Sequence, residues 1–191
     1  MSDLTRLSAM EMADHIRSKS ISPVELIRAH FDRIEKLNLR LNAFVELDEQ
    51  RAHLQAKYAE AAVVQGKMLG PLHGIPISIK SSIDVAGLHC EAGTRLRAGN
   101  TAVSDAPLVA RLRAAGAIVL GVTNTPELLM AWETDNLLYG RTNNPWDLTR
   151  TAGGSSGGES AAIAAGMSAG GVGSDGGGSI RVPAHFTGYA G

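Results

Sequence analysis

The chain has 191 residues, of which 44% are hydrophobic and 19% are charged, and its formal net charge is −1. This composition excludes an intrinsically disordered chain, and the balanced charge argues against a surface for nucleic acid or an anionic membrane. The single cysteine, Cys90, excludes an internal disulfide framework, and no Cys/His cluster has the spacing of a zinc site. We therefore expect no metal and no other cofactor.

The N-terminal segment MSDLTRLSAMEMADHI lacks the basic start and the apolar run of a secretory signal. No segment approaches the ~18 consecutive apolar residues that are needed to span a bilayer. We therefore expect a cytoplasmic protein without a membrane partner.

Residues 1–65 predict a helical region that packs on the rest of the chain. Its clearest helix begins in SPVELIRAHFDRIEKLN, where Ser22 is a suitable N-cap and Pro23 suits the first helical position. Glu25, three residues after the serine, completes a capping box. Residues 66–191 are then the first part of the main domain.

From residue 66 the pattern changes to alternating strands and helices. GPLHGIPISIK predicts a short buried strand that ends at Lys80. SDAPLVARLRAAGAIVLGVTN predicts a helix, a stop at Gly116 and a second strand. LLYGRTNNPWDLTR is rich in turn formers and predicts an ordered loop. This alternation predicts an α/β layer fold.

Residues 151–184 form the most unusual segment, TAGGSSGGESAAIAAGMSAGGVGSDGGGSIRVPA. It places Ser155 and Ser179 in two glycine-rich turns, with an alanine-rich helical run between them. A flexible linker would not contain this apolar helix. A phosphate cradle would need a lysine in the first turn or a helix after the second, and Pro183 interrupts the helical pattern there. A nucleophile site is therefore the favoured interpretation.

Nucleophilic catalysis needs an attacking hydroxyl, a base and donors for the developing oxyanion. The backbone amides of Gly176, Gly177, Gly178 and Ser179 would supply a row of such donors beside the Ser179 hydroxyl. The GxSxG elbow of α/β-hydrolases is absent. The six histidines are scattered outside any triad context, so this pattern leaves the base unidentified.

Three stretches together resemble the amidase signature family: GPLHGIPISIKSSIDVAG, GVTNTPELLMAWETDNLLYGRTNNPWD, and GGSSGGESAAIAAG followed by GVGSDGGGSIRVPA. The resemblance covers most of the chain from Leu4 onward. It implies an α/β/α layered fold with a central mixed β-sheet, here truncated and preceded by N-terminal helices. It also implies a Ser–cisSer–Lys triad. By motif position Lys80 is the base, Ser155 is the serine in the cis peptide bond, and Ser179 is the nucleophile.

The implied reaction is acyl transfer from a small-molecule amide, with a proton relay driven by neutral Lys80. A free lysine has a pKa near 10.4, so neutrality at pH 7 requires a fall of roughly three units, or about 4 kcal/mol. A lysine that ends an apolar strand is well placed for such a shift. Leu129 is a candidate wall of the acyl pocket, with an ordinary core position as the equal alternative.

Three further side chains are expected to support the two turns. Ser156 and Asp175 would brace them through hydrogen bonds to the backbone, and Arg181 would anchor the second turn. Glu159 opens the alanine-rich helix, where a carboxylate is favourable against the N-terminal dipole. Neither Ser156 nor Asp175 is expected to react.

Two features depart from the family pattern. The family commonly has a larger residue at Gly176, so we expect less rigid oxyanion donors here. The family domain is usually more than twice as long, so we expect the C-terminal half to be absent, with further strands and much of the pocket. Uncovered sheet edges would then favour a homo-oligomer or another partner. Two alternatives stay open: a glutamine-hydrolysing, tRNA-dependent amidotransferase subunit, and a fragment with only a binding or structural role.

Overall fold

The computed structural model describes residues 3–67 and 70–191. These residues form six α-helices: α1 (Ala9–Arg17), α2 (Pro23–Leu41), α3 (Glu49–Val64), α4 (Pro107–Ala114), α5 (Gly157–Ala164) and α6 (Arg181–Thr187). They also form four strands: β1 (Phe44–Leu47), β2 (Pro76–Lys80), β3 (Ile118–Thr123) and β4 (Gly170–Val172). Among them, no helix combines the length and apolar character needed to cross a membrane.

The strands form one mixed sheet in the order β1-β3-β2-β4. Strand β2 runs parallel to both β3 and β4, whereas β1 runs antiparallel to β3. Every residue of β2 and β3 is buried, as expected for central strands that are covered on both faces. The parallel pairing brings Lys80 opposite Thr123, so the carboxyl ends of both central strands meet at one edge.

Apolar clusters lie on both faces of the sheet, which confirms the expected layered α/β fold. Ile118 and Leu120 of β3 pack with buried residues of α2, α3 and α5. Val119 and Val122 of the same strand pack with buried residues of α1, α4 and β2. Alternation places Ile118 and Leu120 on one face and Val119 on the other. A register shift of β3 against β2 after Val119 then brings Val122 to the same face as Val119, so a single strand serves both clusters.

Helix α2 begins as the sequence predicted. The Ser22 side chain accepts hydrogen bonds from the amides of Val24 and Glu25, and the Glu25 carboxylate accepts one from the Ser22 amide. The helix ends at Asn42, which adopts the left-handed conformation with φ 51°. This turn redirects the chain into the next element.

The next element, β1, is not predicted by the sequence, since the pattern of residues 1–65 predicts helices. Four residues are too few to show a clear alternation, and β1 is held by pairing with β3 rather than by its own pattern. The division of the chain at residue 65 stays a prediction, although the first region contributes this strand to the central sheet.

The expectation that Pro183 prevents a helix after the second glycine turn is wrong, because α6 spans Arg181–Thr187. Pro183 is the third residue of this helix. In the first turn of a helix the backbone N–H has no intrahelical acceptor, so proline is tolerated there. The helix ends at Gly188 in the left-handed region, with φ 76°.

Candidate active site

Lys80 ends strand β2 and is fully buried. Its Nζ atom donates to the hydroxyl oxygens of Ser155 at 2.7 Å, Ser156 at 2.9 Å and Ser174 at 3.1 Å. Two of these serines belong to the first glycine turn, and Ser174 precedes the second. The lysine predicted from the strand motif therefore contacts the serine predicted to accompany it.

The first glycine turn presents Ser155 to Lys80 through a cis peptide bond between Gly154 and Ser155. The carbonyl of Ser155 accepts a hydrogen bond from Thr125 Oγ1 at 2.9 Å. Gly154 has no room for a side chain, since a Cβ atom there would lie 2.7 Å from the Glu133 amide nitrogen. The buried turn is thus held by the Thr125 side chain at the Ser155 carbonyl and packs closely against neighbouring backbone at Gly154.

Asp175 organises the second glycine turn, as the sequence predicted. Its carboxylate accepts hydrogen bonds from the amides of Gly178 at 2.7 Å, Ile180 at 3.0 Å and Arg181 at 3.2 Å. The Arg181 guanidinium pairs with the same carboxylate at 2.9 Å. The bond from Arg181, followed by the backbone bonds, holds the pKa of Asp175 well below its usual range.

The two turns are joined by the backbone, through a hydrogen bond of 3.0 Å from the Ser156 amide to the Ser179 carbonyl. Ser179 is half-buried, in contrast to buried Ser155. Within residues 3–67 and 70–191, no hydrogen bond joins the two hydroxyls of Ser155 and Ser179. The relay that the resemblance implies is therefore formed only as far as Ser155.

The four amides predicted to hold an oxyanion differ in their environments. The Gly178 amide is already bonded to Asp175. The amides of Gly176, Gly177 and Ser179 donate to no other group in the described part of the chain. A Cβ atom at Gly176 or Gly177 would meet nothing within 4 Å, so neither glycine is required by packing. Their role as donors stays a prediction.

The environment of Lys80 favours the neutral amine. Burial lowers the pKa of Lys80 to about 8, against the opposing influence of the carboxylates of Glu159 and Asp175. This is most of the shift that a neutral base at pH 7 would require. About a tenth of Lys80 is therefore neutral at pH 7.

Glu159 occupies the first turn of α5, but its carboxylate is more than a partner for the helix dipole. It is buried, and it accepts hydrogen bonds from the hydroxyls of Ser78 on β2 and Thr123 on β3, the latter at 2.8 Å. Burial raises the pKa of Glu159 to about 7, and the two hydroxyls and Lys80 counteract this rise. The GGES motif placed Glu159 in the helix but did not reveal these strand contacts.

The wall beside the second turn includes a residue that the sequence analysis missed. Trp132 is 66% exposed, and its indole N–H donates to the Gly177 carbonyl at 3.2 Å. Leu129, the predicted wall, is partly buried in a left-handed conformation with φ 66°, and its amide donates to the Pro126 carbonyl. Its contribution to an acyl pocket stays a prediction. The sequence signal that could have identified Trp132 is its position in the same PELLMAW stretch as Leu129.

The environment of Cys90 disfavours the thiolate. The side chain is buried, and burial raises the pKa of its thiol to about 11. Because the thiolate is the reactive form, this thiol is a poor nucleophile at neutral pH.

The chain is similar to known proteins along its whole length. A family model described as Amidase matches residues 25–191. The chain is 42% identical over 191 residues to a glutamyl-tRNA(Gln) amidotransferase subunit from Salinispora arenicola, covering 100% of this chain and 39% of that protein. It is 47% identical over 183 residues to indoleacetamide hydrolase of Bradyrhizobium diazoefficiens, covering 96% of this chain and 35% of that protein.

Among solved structures, a fatty acid amide hydrolase superposes with a TM-score of 0.94 at 35% identity, over 98% of this chain and 34% of that one. The chain thus spans just over a third of the length of the relatives it matches. Across that span, the family match and the fold agree. The chain therefore belongs to the amidase signature family.

Proposed function

We propose that this chain carries the catalytic centre of an amidase, which hydrolyses the C–N bond of a carboxamide or acyl amide through an acyl-enzyme on Ser179. The observation that carries the proposal is the buried hydrogen bond between Lys80 and Ser155, beside an accessible turn that contains Ser179. Relatives include amide hydrolases, which supports a hydrolase acting on C–N bonds.

In the proposed mechanism the neutral amine of Lys80 accepts a proton from Ser155, and Ser155 accepts one from Ser179. The Ser179 oxygen attacks the amide carbonyl carbon and forms a tetrahedral intermediate. Collapse of the intermediate breaks the C–N bond, and the relay returns the proton to the departing amine. Water then attacks the acyl-enzyme with the same base and releases the carboxylic acid.

The amides of Gly176, Gly177 and Ser179 are the proposed donors for the oxyanion. They have no other acceptor in the described residues, so a developing negative charge would satisfy them. The Gly178 amide would join them only if it left Asp175. The Ser155–Ser179 contact also has to form when substrate binds, as is common for catalytic hydrogen bonds.

An apolar acyl group is the substrate type that this surface favours. Trp132 contacts the second turn, and exposed apolar side chains lie in the neighbouring segment, namely Leu128, Met130 and Leu137. Such a wall stabilises an apolar acyl group better than it would stabilise the ammonium and carboxylate groups of an amino-acid substrate. Leu129 is proposed to contribute to the same wall.

A role in an amidotransferase is the second candidate, because relatives named as subunits of glutamyl-tRNA(Gln) amidotransferase match the whole chain. That function would use the same triad to release ammonia from glutamine and would require a partner protein. The third candidate is a fragment without catalysis, since the chain spans just over a third of those relatives.

The test is turnover of two substrate sets by the purified chain: apolar primary carboxamides and aryl acylamides in one set, glutamine and asparagine in the other. We expect hydrolysis of the first set, and at least a ~100-fold loss in Lys80→Ala, the size of a typical general-base contribution. Preference for glutamine would favour the amidotransferase. Cooperative unfolding without hydrolysis of either set would favour the fragment.

A further inference from the structure

We propose that Glu159 is a positioning residue of this centre, whose buried carboxylate, anchored across the two central strands, sets the charge state of Lys80. The relevance to catalysis rests on the proposed function, since only a reaction that uses Lys80 as its base would depend on this charge. The influence on Lys80 itself can be measured without any turnover.

The geometry fixes Glu159 against the strand that carries the lysine. Ser78, which donates to Glu159 Oε1, lies two residues before Lys80 and so shares its face of β2. Thr123, which donates to Glu159 Oε2 at 2.8 Å, is the residue paired with Lys80 across β2 and β3. The carboxylate is therefore held by the two positions that adjoin the lysine.

Space for this carboxylate depends on β4. A Cβ atom at Gly171 would lie 1.7 Å from Glu159 Oε1, so only glycine at this position leaves room for the carboxylate. Ser168 adds a further hydroxyl, 2.9 Å from Ser78 Oγ. Residues of two strands, the start of α5 and the approach to β4 thus build one polar pocket around a single carboxylate that is 2% exposed.

Few other charges face this pair. Strands β3 and β4 carry no titratable residue, and β2 carries only Lys80. From the second turn, Asp175 also favours the charged lysine, but its own charge is matched by Arg181 at 2.9 Å. Tyr189 interacts with Glu159 from the C-terminal side. In the described residues, Glu159 is therefore the fully buried carboxylate that acts on Lys80 without an arginine partner.

The consequence is a lysine whose charge depends on its neighbour. A negative Glu159 stabilises the ammonium form and keeps the proton on Lys80 to a higher pH. Burial raises the pKa of Glu159 to about 7 and lowers that of Lys80 to about 8, so the carboxylate is ionised when the lysine releases its proton. Removing this negative charge should make Lys80 neutral at a lower pH.

The experiment is an NMR titration of the chain with isotope-labelled lysine. The other lysines, Lys19, Lys36, Lys57 and Lys67, are exposed, so the signal of Lys80 is distinct and is assigned with Lys80→Arg. Glu159→Gln should move the Lys80 midpoint to lower pH by roughly one unit. The same exchange on the surface, Glu35→Gln, is the matched control and should leave the midpoint in place. An unchanged midpoint in folded Glu159→Gln would overturn the proposal.

A second variant guards against misfolding of Glu159→Gln. Thr123→Val preserves the β-branched shape in β3 and removes one hydrogen bond to the Glu159 carboxylate. The loss of this bond should raise the pKa of Glu159, so that less of it is ionised, and should again move the Lys80 midpoint to lower pH. If the wild-type chain hydrolyses amides, the acid limb of its pH–rate profile should move with the NMR midpoint, and a fixed limb would overturn the positioning role. A shifted midpoint in a chain without hydrolysis would support the coupling and contradict the proposed function.

Discussion

At the scale of single residues, the notable feature is how a buried lysine remains satisfied in both protonation states. An ammonium group has three N–H donors, and the hydroxyls of Ser155, Ser156 and Ser174 accept all three. After loss of a proton, one of those hydroxyls can donate to the amine instead. The same serines therefore suit the resting and the basic form of Lys80.

This arrangement predicts a specific pH dependence. Because the pKa of Lys80 is lowered to about 8, the neutral fraction rises about tenfold per pH unit below that value and reaches a plateau above it. Values of kcat/KM for amide hydrolysis, measured from pH 6 to 10, should follow this curve. The Lys80→Met variant should not show this rise of kcat/KM with pH. A wild-type kcat/KM that is constant between pH 6 and 9 would exclude Lys80 as the base.

At the scale of elements, α5 approaches the sheet so closely that glycine is needed at its start. A Cβ atom at Gly158 would lie 2.4 Å from the Asn124 amide nitrogen and 2.7 Å from the Ala43 carbonyl oxygen. Both contacts are with backbone, which cannot rotate away. The close approach places the Ser155–Ser156 turn beside the end of β2.

We therefore predict that Gly158→Ala destabilises the chain by about 1–3 kcal/mol, the usual cost of overpacking. Urea denaturation measures the change. Gly177→Ala is the matched control, because a Cβ atom there meets nothing within 4 Å, and its free energy of unfolding should stay within about 0.5 kcal/mol of wild type. Equal stability of the two variants would show that α5 can move away from the sheet at little cost.

Elements with a strong local pattern were predicted from the sequence, and elements that depend on distant partners were not. The apolar run before Lys80 and the capping box at Ser22 specify β2 and α2 locally. Strand β1 depends on pairing with β3, which no short window reveals. The contacts of Glu159 likewise join α5 to both central strands, so the GGES motif gave its helix but not its surroundings.

At the scale of the whole molecule, two buried charges oppose folding in different pH ranges. The pKa of Glu159 is raised from 4.5 to about 7, so its contribution to stability is present below pH 4.5 and is lost as pH rises through 7. The pKa of Lys80 is lowered from 10.5 to about 8, so its contribution is present above pH 10.5 and is lost as pH falls through 8. The two groups together therefore contribute least to the stability of the fold between pH 7 and 8, where both are charged.

The double variant Lys80→Met, Glu159→Gln isolates this effect, because all other titrating groups are unchanged. We expect the variant to gain stability relative to wild type at pH 7.5, and to gain less at pH 5 and at pH 10. Urea denaturation of both proteins at the three values gives the comparison. A difference that does not vary with pH would show that the two groups keep ordinary proton affinities in the folded chain.

The most direct measurement for the molecule as a whole is reaction of the chain with a fluorophosphonate probe, followed by peptide mapping. The partly exposed Ser179 and the buried bond between Lys80 and Ser155 together predict one label, on Ser179, and its loss in Ser179→Ala and Lys80→Ala. Circular dichroism of each variant confirms that it is folded. A folded wild-type chain without label on Ser179, or labelling that persists at full rate in Ser179→Ala, would contradict a Ser179 nucleophile activated by Lys80.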